Sequence, residues 1–189
     1  MQSEMSSLGG LTPGLLLHSC CAPCSIPALE RLSESFELTV FYYNPNILSQ
    51  NEFEKRLSEL RRLIKSTSAR LVVPEYDHDE FLETVRGFEN EPEGGGRCRR
   101  CFELRFRRAA EAAKAEGFDY VTSTITTGPR KDATVVNAVG ENAVAVAAAT
   151  AAQSMTLKWL PADFKKRGGY QRSVLRSKEL GVYRQDLPI

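Results

Sequence analysis

The sequence predicts an α/β fold: one domain built on a mostly parallel, five-stranded sheet with helices on both faces. Three observations lead there. Short runs rich in β-branched and aromatic residues alternate with amphipathic or Ala-rich runs of helical length, an alternation that folds as right-handed βαβ units. A chain of 189 residues is enough for one domain with a full core. Its cysteines and polar turns follow the strand-like runs directly, and a parallel sheet gathers its ligand sites along that one edge.

The first strand is Gly14-Leu15-Leu16-Leu17, ending at His18. The turn His18-Ser19-Cys20-Cys21-Ala22-Pro23-Cys24 leads into a helix over residues 25–32, for which Ser25 is the expected N-cap and Pro27 is tolerated in the opening turn. Residues 38–43 read as a second strand closed by the turn Asn44-Pro45-Asn46. Asn51 is the expected cap of an amphipathic helix with Phe53, Leu57, Leu60 and Ile64 on one face. A third strand over 70–73 stops at Pro74, and Asp77 or Asp79 opens a short helix through Phe81, Leu82 and Val85. Residues 89–96, with Pro92 and three consecutive glycines, read as a mobile loop that delivers the chain to Cys98. A helix over 98–116 ends at Gly117. Then come a strand over 120–124, a polar loop over 126–131, an Ala/Val-rich helix capped by Asp132, a strand over 156–160, a basic loop over 164–170 and a last helix over 174–180.

Composition limits the function. The formal net charge is +1, so bulk charge points to no polyanionic partner and a nucleic-acid site has to be a local patch. Residues 1–12 lack a basic stretch followed by an apolar core and read as a flexible tail. No run is apolar and long enough for a membrane span; the nearest, 143–152, is Ala-rich and too short. The expected compartment is therefore the reducing cytoplasm, where clustered cysteines mean metal or redox chemistry more often than disulfides.

All five cysteines fall in two groups, Cys20, Cys21 and Cys24, and Cys98 and Cys101. Both groups contain C-x-x-C spacing at a helix start, where the helix dipole favours thiolates. Three chemistries use such thiols. Two C-x-x-C elements suit a four-cysteine zinc site. Cys21-Ala22-Pro23-Cys24 between strand and helix has the form of a thioredoxin-like dithiol, which leaves the other three thiols without a role. An iron–sulfur cluster at the functional edge accounts best for a fifth, vicinal thiol in a fold that needs no metal staple.

At these residues the sequence resembles the epoxyqueuosine reductases of the QueH type. The resemblance is carried by Leu16-Leu17-His18-Ser19-Cys20-Cys21-Ala22-Pro23-Cys24-Ser25, by Phe41-Tyr42-Tyr43-Asn44-Pro45-Asn46-Ile47 and by the segment from Glu91 through Cys98 and Cys101 to Arg105. Asp163-Phe164-Lys165-Lys166-Arg167-Gly168-Gly169-Tyr170-Gln171-Arg172-Ser173 and Lys178-Glu179-Leu180-Gly181-Val182-Tyr183-Arg184-Gln185 complete it. It implies a catalytic domain over 13–189 with a fold like the PP-loop, nucleotide-binding α/β proteins. The implied activity is reduction of the epoxide of epoxyqueuosine in the tRNA anticodon, with electrons from an external donor. The resemblance further implies a 4Fe-4S cluster on Cys20, Cys21, Cys98 and Cys101. Cys24 and Asp163 are then left to act at the epoxide through a second, mononuclear iron or zinc. Members of the family carry a Cys-Gly-Cys soon after the Tyr-Arg-Gln element, where this sequence reads Asp186-Leu187-Pro188-Ile189. That departure supports a second reading, a catalytically impaired relative serving as a metal-bearing tRNA-binding domain.

The remaining candidates follow the same edge. Tyr43, Asn44 and Asn46 either make the turn or face substrate. Arg97 and Arg105 lie in a dense basic helical segment with Arg99, Arg100, Arg107 and Arg108; Arg130, Lys165, Lys166, Arg167 and Arg172 lie in or near the later loops. Together they are expected to track the phosphates of an anticodon stem-loop. His18 is expected to be a buried, backbone-bonded histidine, and His78 an exposed one.

Overall fold

The computed structural model describes residues 12–149 and 156–183. Its elements run β1 (Gly14–His18), α1 (Ala22–Leu32), β2 (Glu37–Phe41), α2 (Gln50–Ile64), β3 (Arg70–Val72), α3 (His78–Thr84), α4 (Gly96–Glu116), β4 (Tyr120–Ser123), a 3-10 turn (Thr124–Thr127), α5 (Ala133–Ala149), β5 (Lys158–Trp159) and α6 (Gly169–Glu179). The five strands form one sheet in the order β3-β2-β1-β4-β5, and every pairing is parallel. The predicted fold class is thus the observed one. The tail expected over 1–12 falls outside the described residues except for Thr12, and so do the last residues of the Ala-rich run.

The pleat of β1 decides which helix lies on which face. Leu16 points to one side, into a core with Phe106, Ala109, Ala110 and Ala113 of α4 and Val136 and Val139 of α5. Leu15 and Leu17 point to the other, among Ile26 and Leu29 of α1 and Phe53, Leu57 and Leu60 of α2. Apolar side chains on both faces are what a parallel sheet with two helical layers requires. Small residues allow close approach on the first face: a Cβ added at Gly140 of α5 would lie 2.2 Å from Cε2 of Trp159. Gly117 ends α4 at φ 76°, in the left-handed region where a glycine is favoured.

Two expected caps move. The N-cap of α1 is Cys21, whose Sγ accepts from the Cys24 N–H at 3.4 Å, so the helix opens three residues before Ser25. Ser25 is buried inside it and bonds Ser19 Oγ at 2.7 Å and the Cys21 carbonyl at 2.8 Å. The cap of α2 is Ser49, which accepts from Glu52 N–H at 3.2 Å, in place of Asn51. Asp77 caps α3 and Asp132 accepts from Thr134 N–H at the head of α5, both as expected.

The chain moves outward from β1 through β2 to β3, then returns to the other side of β1 with β4 and β5. The strand order therefore reverses between β1 and β4, and the loops leaving their C-terminal ends part to open a crevice.

Candidate metal centre

The first cysteine turn leaves β1 on one side of that crevice, and the 3-10 turn leaves β4 on the other. Hydrogen bonds join them. Thr124 Oγ1 accepts from the Cys20 N–H at 3.0 Å and donates to Cys20 Sγ at 3.3 Å, so a single hydroxyl serves both ends of the residue. Thr127 Oγ1 donates to the Cys24 carbonyl at 2.9 Å. Sequence patterns alone do not single out these two threonines. Their only signal is the polar run Thr124-Ile125-Thr126-Thr127 directly after a strand, which reads equally well as the strand's own end.

The sulfurs of Cys20, Cys21 and Cys24 all lie within 4.8 Å of one another, and those of Cys20 and Cys21 are 3.9 Å apart. Among the described residues no other histidine, cysteine, aspartate or glutamate joins this group. All five cysteines are free thiols. The half-buried triad favours one negative charge. The Cys20 thiol is pulled well below its ordinary value by the hydrogen bonds it receives from Cys21 and Cys24, which outweigh burial, with help from Arg105 and Thr124. Cys21 is pushed up chiefly by its hydrogen bond to Cys20, and Cys24 by its bonds to both neighbours. A bound cation would favour the thiolate form at all three.

The second pair sits on α4, with Cys98 in the first turn and Cys101 buried one turn on. Gly94 N–H donates to Cys98 Sγ at 3.3 Å, and Arg105 Nη1 donates to Cys101 Sγ at 3.8 Å. Arg105 was expected on an outer phosphate-tracking surface. It is instead 4% exposed, and the guanidinium turns inward to Cys101, to Asn44 Oδ1 at 2.6 Å and to His18 Nε2 at 3.3 Å. None of these partners is a carboxylate, and its charge lowers the Cys20 pKa. A buried guanidinium needs compensating negative charge, and in this site sulfur is what can supply it.

His18 is fully buried, as expected, with Nδ1 2.8 Å from Ser123 Oγ. Its Nε2 lies between Arg105 Nε at 3.3 Å, which can only donate, and the Tyr43 carbonyl at 3.1 Å, which can only accept. Burial, then the Arg105 charge, bring its pKa down to about 3, so the ring is neutral and satisfies one of those two partners at a time.

The other candidates divide between wall and surface. Tyr43 is buried with its hydroxyl on Glu80, and Asn44 is buried between Arg105 and the Ser19 carbonyl, which its Nδ2 meets at 2.9 Å. Asn46 is half-buried, and its Oδ1 receives no hydrogen bond. His78 is half-buried rather than exposed: Nδ1 reaches the Pro45 carbonyl at 2.7 Å and the ring stacks on Tyr76. Arg97 donates to the Glu89 carbonyl at 3.2 Å. Arg107 and Arg108 are held by Glu80, and Arg172 by Glu30 in a two-pronged contact. Arg130, Lys166 and Arg167 are exposed and Lys165 half-buried. Asp163, the expected oxygen ligand, faces Lys165 Nζ at 3.0 Å and Lys166 Nζ at 3.7 Å.

An open parallel sheet with a cluster of reduced thiols at its switch point defines an α/β protein with a thiolate site able to hold a metal. The comparisons name the family. The family model for epoxyqueuosine reductase QueH matches residues 15–187, and the chain belongs to that family. It is 38% identical over 179 residues to the epoxyqueuosine reductase QueH of Streptococcus pyogenes serotype M1, covering 92% of this chain and 67% of that protein. The protein of the same name from Haemophilus influenzae is 36% identical over 173 residues, with 91% and 68% covered. For that of Thermotoga maritima the values are 30% over 175 residues, with 91% and 85% covered. No helix among the described residues is long and apolar enough to cross a membrane.

Proposed function

We propose that this chain reduces epoxyqueuosine in the anticodon loop of tRNA to queuosine in the cytoplasm, using a 4Fe-4S cluster held by Cys20, Cys21, Cys98 and Cys101. One observation carries the ligand set. Each of those four sulfurs accepts a hydrogen bond from a donor other than a thiol: Thr124 Oγ1, Cys24 N–H, Gly94 N–H and Arg105 Nη1. Among the described residues the Cys24 sulfur is the exception. Cluster thiolates are stabilised and tuned by such bonds, and the buried Arg105 charge suits a cluster whose thiolate ligands bring negative charge.

The cluster supplies electrons one at a time, whereas removing the epoxide oxygen as water takes two electrons and two protons, so an external donor has to deliver the second. This chain's own residues prepare the site. Arg105 favours the charged form of Cys20 and fixes Asn44, which in turn ties the β2 turn to the Ser19 carbonyl. Asn46 Oδ1 is buried and without a donor, and would meet a substrate hydroxyl or amine only on movement of the β2 turn. Tyr43 and neutral His18 brace the wall. Cys24 is left to bind a second mononuclear iron or zinc, for which Asp163 is the oxygen donor once Lys165 releases it. Arg97, Arg130, Lys165, Lys166 and Arg167 present cations to the RNA backbone, with Arg172 behind them on α6.

The test is anaerobic purification with iron and sulfide assay, followed by turnover of epoxyqueuosine-containing tRNA under dithionite. Iron with matching sulfide and conversion to queuosine is the expected result. A colourless protein that binds zinc and holds no sulfide would remove the cluster from the proposal.

A further inference from the structure

A cavity lies between the loops that follow β4 and β5, at the head of α5. Its volume is about 630 Å³ and its lining includes Arg130, Lys131, Asp132, Asp163, Lys165 and Lys166. That is within the roughly 300–1,000 Å³ typical of small-molecule clefts. Asp132 is engaged by hydrogen bonding, whereas Asp163 has ion-pair contacts and its buried Oδ1 receives no hydrogen bond. Asp132 Oδ1 accepts from Thr134 N–H at 2.8 Å, and Asp163 is held by Lys165 at 3.0 Å. A divalent cation would find no free pair of carboxylates here, and the head of α5 is occupied by its own cap. The surplus charge is cationic and comes from side chains.

A third carboxylate enters from outside. Glu93 Oε1 accepts from Lys131 Nζ at 2.8 Å, and Oε2 from Arg130 Nη1 at 3.4 Å. The Glu93 side chain is 34% exposed and that of Lys131 31%, so this is a partly solvated and weak ion pair. A carboxylate with one negative charge and two oxygens on a Lys and an Arg occupies the place that two oxygens of a phosphodiester would take. Glu93 also belongs to the segment that holds Cys98, since Gly94 N–H donates to its sulfur. On the other side, Thr127 lies two residues before the cavity's Pro129 and bonds the Cys24 carbonyl.

We infer that this cavity is a phosphate subsite for the RNA backbone, and that Glu93 is an internal surrogate which the phosphate displaces. The identity of the polymer rests on the proposed function; the cavity, its cations and the Glu93 contact do not. Displacement would free the segment next to Cys98, so that substrate binding is felt at the thiols.

The experiment is fluorescence anisotropy of the iron-loaded protein with a labelled, unmodified anticodon stem-loop RNA, which carries no epoxide. Wild-type binding should weaken with salt. Lys131→Gln with Lys166→Gln should reduce the log–log salt slope by about 1–2, since each phosphate left without its cation lowers it by roughly 0.7–0.9. Lys131→Arg should retain binding, and matched melting curves show that the variants fold. Glu93→Gln should tighten binding about threefold, the size of a weak competing ion pair. Wild-type binding that the double variant leaves unchanged, or weaker binding in Glu93→Gln, overturns the subsite while leaving the proposed function in place. No binding of RNA by the wild type removes the tRNA reading as well. Orthophosphate that competes with Glu93 for Lys131 in a protein whose RNA binding ignores the double substitution marks a free-phosphate site and also overturns the inference.

Discussion

Arg105 of α4 and Asn44 of the β2 turn meet at 2.6 Å in the interior, the guanidinium donating to the amide oxygen while the amide nitrogen donates to the Ser19 carbonyl. This chain of bonds links the two cysteine-bearing segments through a residue that belongs to neither. Asn44→Ala leaves Arg105 Nη2 and the Ser19 carbonyl unpaired in a buried place. A loss of about 1–3 kcal/mol of stability is expected from unpaired buried groups, read by urea unfolding, together with reduced iron content in the purified protein.

Arg105 itself separates charge from shape. Arg105→Met keeps much of the volume and removes the cation, so Cys20 loses a nearby buried counter-charge. The expected outcome is lower iron and sulfide per chain and a more negative cluster potential. Arg105→Lys, a point charge without the planar fork, should recover part of the iron but not the Asn44 and His18 contacts. Equal iron content in Met, Lys and wild-type proteins would refute the role assigned to this charge.

The ligand set makes its own prediction. Cys20→Ala, Cys21→Ala, Cys98→Ala and Cys101→Ala should each strip iron, and Cys24→Ala should keep the visible absorption of the cluster while losing turnover. Loss of colour in Cys24→Ala with retention in Cys20→Ala would exchange the two residues in the assignment.

His18 sets a pH dependence. Its pKa is about 3 when folded against an ordinary 6.5. Between those values the unfolded chain takes up a proton that the folded protein refuses. Stability from this group is therefore complete above about pH 6.5 and falls as the pH is lowered, by roughly 1.4 kcal/mol per unit from a single proton. Urea unfolding between pH 7 and 5 checks it, with His18→Asn expected to flatten the dependence.

Gly140→Ala tests the packing of α5 on β5. In an exposed helix the exchange ordinarily stabilises by about 0.5–1 kcal/mol. Here the added Cβ would fall 2.2 Å from a Trp159 ring whose Nε1 is tethered to Asn137 Oδ1 at 3.0 Å. Overpacking costs about 1–3 kcal/mol, so the sign reverses and the melting temperature should drop.

The fold was legible because it rests on periodicity and turn chemistry. Leu15, Leu16 and Leu17 announced a strand buried on both faces, and Gly117 and Asp132 marked helix ends that the structure keeps. The cysteine turn was legible as a site for the same reason. Side-chain direction was not. Nothing in the spacing of Arg99, Arg100, Arg105, Arg107 and Arg108 says that one of them turns inward, because that depends on α4 crossing the sheet over His18 and Asn44. Cys21 hid its capping role since serine was the more familiar cap nearby, and Glu93 hid in a loop whose partner lies 38 residues further along at Lys131.

The strand order also governs biogenesis. The first cysteine turn emerges with β1, but Arg105 meets His18 from 87 residues away, and Thr124 reaches Cys20 from 104 residues away. A nascent chain thus presents an unshielded trio of thiols before α4 and β4 have closed over the other edge of β1. During that interval the trio is open to any thiophilic ion in the cell. For a chain that takes the proposed cluster, loading is then a matter of timing, best made after synthesis has passed β4, and premature zinc capture is the hazard that this topology would build in.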